Sequence, residues 1–349
     1  MKEDEKYMKL ALELARLGEG RVNPNPMVGA VIVKNGKVIG KGHHEYFGGK
    51  HAEVNAIEDA KRNGYSVRGA TMYVTLEPCA HWGKQPPCVD RIIKEGISRV
   101  VVATLDPNPM VNGEGVKRLM EAGIEVEVGI LKEEAEKLNE IYFKYIKTSM
   151  PFVAIKLALT LDGFIATKSF SSKWITNEKA RLKVQEIRRR FMAIMVGANT
   201  VTIDNPRLNC RVNGCRDKVK VILDRHGTTA NRKDLNVFKE GKVIVFTESD
   251  KSWDNAKVIK ETSPKRILEI LGKMGIDSVL IEGGRIACQF LPFADKLYLF
   301  YGNKLIGNGI SPFECLEVDD VNLALKVELL NIETFGDSYL VEARPCSRE

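Results

Sequence analysis

His51, Cys79 and Cys88 lie in three different local settings, and any fold that uses them together must bring those settings to one point. His51-Ala52-Glu53 opens a segment with helical periodicity that runs to Arg62. Pro78-Cys79 follows an apolar strand, Thr71 to Leu76, and Cys88 opens a second helical segment that runs to Lys94. One imidazole and two thiolates give Zn²⁺ three protein ligands and leave the fourth position for water, which is the coordination of a catalytic site. A helix start stabilises a thiolate at Cys88. His51 and Glu53, two residues apart, would point to opposite sides of a regular helix, so they must straddle an irregular first turn. Taken singly, His51 is an ordinary helix residue and each cysteine an ordinary small core residue. Jointly, at the ends of a strand and two helices, they point to a metal. With His81 as a fourth ligand the site would instead be closed and structural.

Glu53 is left free to carry protons, and the set follows the H-x-E…P-C-x-x-C pattern of zinc deaminases that act on a pyrimidine-type ring. One feature departs from that pattern. Eight residues, Ala80 to Pro87, separate the two cysteines, where the pattern has two. Eight residues demand a loop, here stiffened by Pro86-Pro87.

The rest of the chain reads as two α/β series. The first runs helix Asp4–Leu17, strands Val28–Val33 and Lys37–Gly40 around the hairpin signal Asn35-Gly36, helix His51–Arg62, strand Thr71–Leu76 and helix Cys88–Lys94. Strand Arg99–Leu105, helix Val116–Glu121, strand Ile124–Val128 and helix Lys132–Ile146 complete it, predicting a mostly parallel sheet covered on both faces. Ser149-Met150-Pro151 ends that helix and divides the chain into domains 1–148 and 149–349. The second series has strand Phe152–Ala158, a turn at Leu161-Asp162-Gly163, and a helix Asn177–Arg190 with Asn177 as N-cap. Strands Ala193–Val196, Val219–Leu223, Val243–Phe246 and Ser278–Ile281 follow, the last running into Glu282-Gly283-Gly284. That double glycine exposes backbone N–H groups able to cradle phosphate, and no G-x-G-x-x-G follows a strand, which argues against a Rossmann site.

Composition limits the partners. A net charge of +7 fits a solvated Lys/Glu-rich surface and an attraction for anionic small molecules. No nucleic-acid footprint is visible: Arg188-Arg189-Arg190 is the only dense basic run, it lies in a helical segment, and no basic stripe with interleaved aromatics accompanies it. No apolar run reaches the roughly 18 residues of a membrane span, and Met1 to Leu17 lacks the features of a signal peptide. Seven scattered cysteines, an odd count, argue against a disulfide framework and for the reducing cytoplasm.

Asn25-Pro26-Met27-Val28-Gly29, His51-Ala52-Glu53-Val54-Asn55, Thr75-Leu76-Glu77-Pro78-Cys79-Ala80-His81, Pro86-Pro87-Cys88 and Asp106-Pro107-Asn108-Pro109, with Gly113 and Gly115 beyond, resemble the riboflavin-biosynthesis deaminase-reductases, a family that carries the same spacing between its cysteines. Lys156-Leu157-Ala158, Leu161-Asp162-Gly163, Trp174-Ile175-Thr176, Thr200, Asp204-Asn205-Pro206 and Glu282-Gly283-Gly284 extend the resemblance into the second half. The resemblance implies a cytidine-deaminase-like three-layer domain followed by a dihydrofolate-reductase-like domain. It also implies deamination of 2,5-diamino-6-(5-phosphoribosylamino)pyrimidin-4-one, then NADPH-dependent reduction of the ribosyl chain to ribityl. It makes His51, Cys79 and Cys88 the ligands of one Zn²⁺ per chain, Glu53 the proton carrier, and Asn25, His44, Lys84 and Asn108 the deaminase substrate contacts. In the reductase it places Lys156, Ser172, Arg188, Leu208, Arg211 and Glu282 against the phosphoribosyl substrate. Ala158, Trp174, Thr200, Asp204, Gly284, Arg285, Ile286 and Ala287 would face NADPH. Arg285 stands where the family usually has a small residue or proline, and Thr167 to Lys173 is an unusual stretch. A homo-oligomer is expected. The competing readings are a monofunctional zinc deaminase of nucleosides or nucleic acid with a C-terminal binding module, and a zinc-stabilised scaffold in which Glu53 has no role.

Overall fold

The computed structural model describes residues 2–82, 86–109 and 111–346, and the chain separates into two compact units, 1–149 and 150–349. The first unit opens with α1 (Lys2–Arg16), whose Tyr7, Met8, Ala11, Leu12 and Ala15 recur every three or four residues and form its buried face. The hairpin β1 (Gly29–Lys34) and β2 (Lys37–His43) turns at Asn35 and Gly36, with φ of 51° and 72°, the left-handed pair that an Asn-Gly turn supplies. α2 (Ala52–Arg62), β3 (Thr71–Val74), α3 (Cys88–Glu95), β4 (Arg99–Val102), α4 (Glu114–Glu121) and β5 (Glu125–Val128) follow.

The strand order is β2-β1-β3-β4-β5. β1 is antiparallel to both neighbours, and β3, β4 and β5 are parallel. The sheet is therefore mixed rather than mostly parallel, because the tight Asn35-Gly36 turn returns β2 beside β1 without a crossover. Alternation along the strands splits the core into two layers. Ile32, Met72, Val74, Val100 and Val102 pack under α2, α3 and α4, and Val31, Val33, Tyr73 and Val101 pack under α1. This is the three-layer arrangement of a cytidine-deaminase-like domain. Gly42 sets the height of α2 over the sheet: a Cβ there would lie 2.3 Å from the Ala56 nitrogen.

The single helix expected over 132–146 is two, α5 (Lys132–Leu138) and α6 (Glu140–Thr148), broken at Asn139. The buried Asn139 amide accepts from Met27 N at 2.8 Å and donates to Met27 O at 2.9 Å. Answering both backbone groups of Met27 outweighs keeping one residue helical.

The second unit contains β6 (Phe152–Leu159), β7 (Ala166–Thr167), α7 (Glu178–Arg190), β8 (Ala193–Gly197), α8 (Ala198–Asp204), β9 (Val219–Leu223), β10 (Val243–Thr247), β11 (Lys257–Lys260) and α9 (Pro264–Lys273). β12 (Ser278–Glu282), α10 (Gly284–Phe290), β13 (Lys296–Gly302), β14 (Gly309–Ile310), β15 (Val327–Phe335) and β16 (Ser338–Pro345) complete it. Nine strands form one sheet in the order β11-β10-β9-β8-β12-β6-β13-β16-β15. It is parallel from β11 to β13 and antiparallel at β16 and β15. β8, β10 and β12 are buried along their whole length, as parallel strands covered on both faces must be. Asn177 caps α7 by accepting from Ala180 N at 3.0 Å.

The expected absence of disulfides does not hold. Cys210–Cys215 and Cys288–Cys315 are bonded pairs. Cys79, Cys88 and Cys346 stay free and make the count odd, so parity carried no information about the other four.

Candidate active sites

In the first unit His51 is the N-cap of α2, with extended backbone at φ −75° and ψ 162°, and Glu53 sits one residue inside the helix. That extended cap turns two residues that a regular helix would separate toward one point. His51 Nδ1 lies 3.5 Å from Cys79 Sγ and 3.3 Å from Cys88 Sγ, and the three ligand atoms fall within 4.8 Å of one another. Cys88 is the first residue of α3, and its N–H donates to Cys79 Sγ at 3.4 Å.

Two thiols so close cannot both ionise beside a lone imidazole. The hydrogen bond between them, with that from His51, pushes the Cys79 thiol down to about 4 and the same contact pushes Cys88 up. A divalent cation supplies the missing positive charge, and an imidazole with two thiolates fits Zn²⁺. Glu53 is 3% exposed, and burial pushes its carboxyl up to about 7 against the pull of His51.

A cavity of about 360 Å³ opens over His51, Glu53 and Cys79, with Asn25, His44 and Asn108 in its wall. Burial holds the His44 imidazole below the usual histidine range. The neutral ring donates from Nδ1 to Lys50 O at 3.0 Å and accepts at Nε2 from Asn25 Nδ2 at 3.1 Å. Cys88 lies beneath the floor rather than in the wall, and Lys84 lies outside the described residues. His81 lines the cavity and stands apart from the ligand cluster, so it does not close the site as a fourth ligand.

Asp106 and Tyr142 also line this cavity and were not foreseen. The Asp106 carboxylate accepts from Asn108 N and from the Tyr142 hydroxyl, each at 2.9 Å. The Asp106-Pro107-Asn108 run was a signal for the first; Tyr142, 36 residues further on, had none.

In the second unit a cavity of about 890 Å³ lies at the carboxyl ends of β6, β8, β9 and β12, the place where parallel sheets bind ligands. Lys156, Ser172, Arg188, Leu208, Arg211 and Glu282 line it. So do Ala158, Trp174, Thr200, Asp204, Gly284, Arg285 and Ile286. Ala287 does not: it is fully buried in the core on the inner face of α10. Trp174 is 61% exposed rather than a core aromatic, and Arg181 stacks on its ring at 4.5 Å. A Cβ on Gly284 would lie 1.8 Å from Ile165 Cδ1, so any larger residue here would force the Ile165 side chain to move.

Arg188 is committed to a protein partner. Its Nε and Nη2 donate to the two Glu282 oxygens at 2.7 Å, and its Nη1 donates to Asn209 O at 2.9 Å. Burial opposes ionisation of Glu282, but the Arg188 charge and hydrogen bonds, with the Lys156 charge, hold its carboxyl below the usual range. Burial pushes the Lys156 ammonium down. Arg225 and His226, just past β9, also line this cavity and had no sequence signal.

The class these two units define is that of zinc-binding deaminases joined to a pyrimidine reductase. Residues 1–104 match the cytidine and deoxycytidylate deaminase zinc-binding region, and residues 151–341 match the RibD C-terminal domain. The chain belongs to the RibD family, the bifunctional deaminase-reductases of riboflavin biosynthesis. It is 42% identical over 350 residues to the riboflavin biosynthesis protein RibD of Aquifex aeolicus, covering 97% of each chain. Against RibD of Escherichia coli K12 it is 36% identical over 330 residues, 88% of this chain and 89% of the relative. Among solved structures it is similar to a diaminohydroxyphosphoribosylaminopyrimidine deaminase/5-amino-6-(5-phosphoribosylamino)uracil reductase from Thermotoga maritima, with 48% identity, 99% of both chains covered and a TM-score of 0.94. With both domains present, a monofunctional deaminase with a C-terminal binding module is not favoured.

Proposed function

We propose that residues 1–148 deaminate 2,5-diamino-6-(5-phosphoribosylamino)pyrimidin-4-one and that residues 149–349 use NADPH to reduce the ribosyl chain of the product to ribityl. The observation that carries the reading is the convergence of His51, Cys79 and Cys88 within 4.8 Å beside the buried Glu53. These three side chains would hold one Zn²⁺, which when bound would lower the pKa of a water to about 7. Glu53, buried beside the metal ligands, carries one proton from the attacking water to the ring nitrogen and a second from the resulting hydroxyl to the departing amine. Water enters, a C–N bond breaks, a C=O bond forms and ammonia leaves. Asn25, His44 and Asn108, with Lys84, orient the ring. The Asn25–His44–Lys50 chain fixes the imidazole tautomer that faces it.

In the reductase NADPH supplies the hydride, so the protein's task is placement. Ala158, Trp174, Thr200, Asp204 and the 284–286 turn face the cofactor, while Lys156, Ser172, Leu208, Arg211 and Glu282 face the phosphoribosyl chain. Arg188 has its guanidinium spent on Glu282 and Asn209 O, so we read it as the residue that positions Glu282, leaving the exposed Arg211 for the phosphate. We read the protein as cytoplasmic because zinc ligation needs Cys79 and Cys88 as free thiolates; the Cys210–Cys215 and Cys288–Cys315 disulfides of the second unit weigh against that reading. We also read it as a homo-oligomer: β15 is an edge strand, and Val327, Leu329 and Ile332 on it are exposed.

The test supplies zinc-loaded protein with the diaminopyrimidine phosphoribosyl intermediate and NADPH and takes the mass of the product. Exchange of NH for O together with a gain of two hydrogens supports both halves of the reading. A product with neither change refutes it. Glu53→Gln should keep zinc and lose deaminase turnover; a scaffold would be indifferent to the change.

A further inference from the structure

The deaminase mechanism leaves the buried Glu77 carboxylate unused. Glu77 is 4% exposed, two residues before Cys79, and lies in the cavity wall. Its backbone N–H donates to Thr104 O at 3.0 Å, extending the β3–β4 pairing. Its carboxylate then accepts four backbone N–H bonds from one later segment. Oε2 takes Asp106 N at 3.1 Å and Gly113 N at 2.9 Å, and Oε1 takes Gly115 N at 2.8 Å and Val116 N at 3.2 Å. Gly115 and Val116 belong to the first turn of α4, whose N–H groups have no partner within the helix.

The same helix reaches back a second time. Arg118 Nη1 donates to Ala80 O at 2.8 Å, and its other nitrogen pairs with Asp90 in the first turn of α3. Both contacts land on the segment that carries Cys79 and Cys88. The approach is close enough to exclude a side chain: a Cβ on Gly115 would lie 2.1 Å from Pro78 O. Between the two ends of this clasp lie residues 106–109, which carry Asn108, and residues 111–113, which lead into α4.

We propose that Glu77 is a positioning residue of the deaminase, tying the Asn108 loop and α4 to the Pro78-Cys79 strand end so that the substrate-binding wall keeps a fixed place over the metal ligands. This rests on the reading of Asn108 as a substrate contact. Glutamine at 77 keeps the size but turns an N–H₂ group toward N–H donors, so it removes at least part of the clasp without opening a cavity. Because Asn108 meets the substrate and not the metal, the loss falls on substrate binding.

The experiment compares Glu77→Gln, Glu77→Asp and Asn108→Ala in the full zinc-loaded chain. It reads deaminase kcat and KM, zinc per chain, and backbone amide exchange at Asp106, Gly113, Gly115 and Val116. A far-UV and thermal-unfolding profile like that of wild type reports that the deaminase unit has folded, and reductase turnover on the deaminated intermediate reports the same for the second unit. Expected for Glu77→Gln is a KM about tenfold or more above wild type, kcat changed far less, zinc still one per chain, and faster exchange at those four amides. Glu77→Asp should recover part of the KM. Wild-type KM in Glu77→Gln with a raised KM in Asn108→Ala overturns the positioning role alone. Wild-type KM in Asn108→Ala overturns the substrate-contact reading beneath it. Loss of zinc with KM unchanged in the loaded fraction makes Glu77 a support of the metal site and also overturns the proposal.

Discussion

Arg188→Met tests how the reductase cavity is held together. In the native chain the Arg188 and Glu282 side chains are only 12% and 11% exposed and are joined by two bonds of 2.7 Å. Methionine fills a similar volume and supplies no donor, so the variant leaves a buried carboxylate with Lys156 as its remaining cation. Breaking a buried pair by removing one partner costs about 3–5 kcal/mol, and Lys156 argues for the lower end. For a unit of this size about 3 kcal/mol corresponds to a fall in Tm of about 6–12 °C. The assay is thermal unfolding followed by tryptophan emission, which reports this unit because Trp253 is buried in it while Trp82 of the other unit is 76% exposed.

The pH dependence gives a second reading of the same variant. Native Glu282 titrates below its ordinary 4.5, so the pair contributes stability above that value and loses it as the pH falls through the lowered one. Without Arg188 burial is no longer outweighed, the carboxyl rises, and protonating it relieves the strain of the buried charge. The gap in Tm between native chain and variant should therefore be widest near neutrality, begin to narrow above 4.5 as the pH falls through the variant's raised value, and close through the lowered value of the native chain. A variant within about 2 °C of wild type at neutral pH, or a gap that does not change with pH, would refute this account of the ion pair.

Two further outcomes are expected. Stripping the metal with a chelator should abolish deamination and leave NADPH oxidation on the deaminated intermediate unchanged, since His51, Cys79 and Cys88 all lie in the first unit; parallel loss of both activities would contradict that separation. Asn139→Leu should destabilise the first unit by about 1–3 kcal/mol, because it leaves the Met27 N–H and C=O without their side-chain partner; an unchanged denaturation midpoint would show that Asn139 does not hold the break between α5 and α6.

The deaminase chemistry was legible in the residues because it depends on side-chain types at local spacings. His51-Ala52-Glu53, Pro78-Cys79 and Cys88 each sit at the end of a strand or the start of a helix, and local periodicity locates such ends. Even the irregular turn at His51 followed from placing two functional residues two apart in a helix. The Asn35-Gly36 hairpin and the Asn177 cap were legible for the same reason. What only the tertiary structure decided are contacts between groups that carry no mark in sequence. Glu77 finds its partners among backbone N–H groups 29 to 39 residues away, and every residue but proline offers such a group. Arg188 reads as one of three surface arginines until a strand 94 residues later brings Glu282 to it. Asn139 looks like an ordinary helical position until Met27 is beside it. Cysteine parity said nothing of which thiols pair, because pairing needs Cα atoms about 6 Å apart, a distance set by the turn between Cys210 and Cys215 and by chain packing for Cys288 and Cys315.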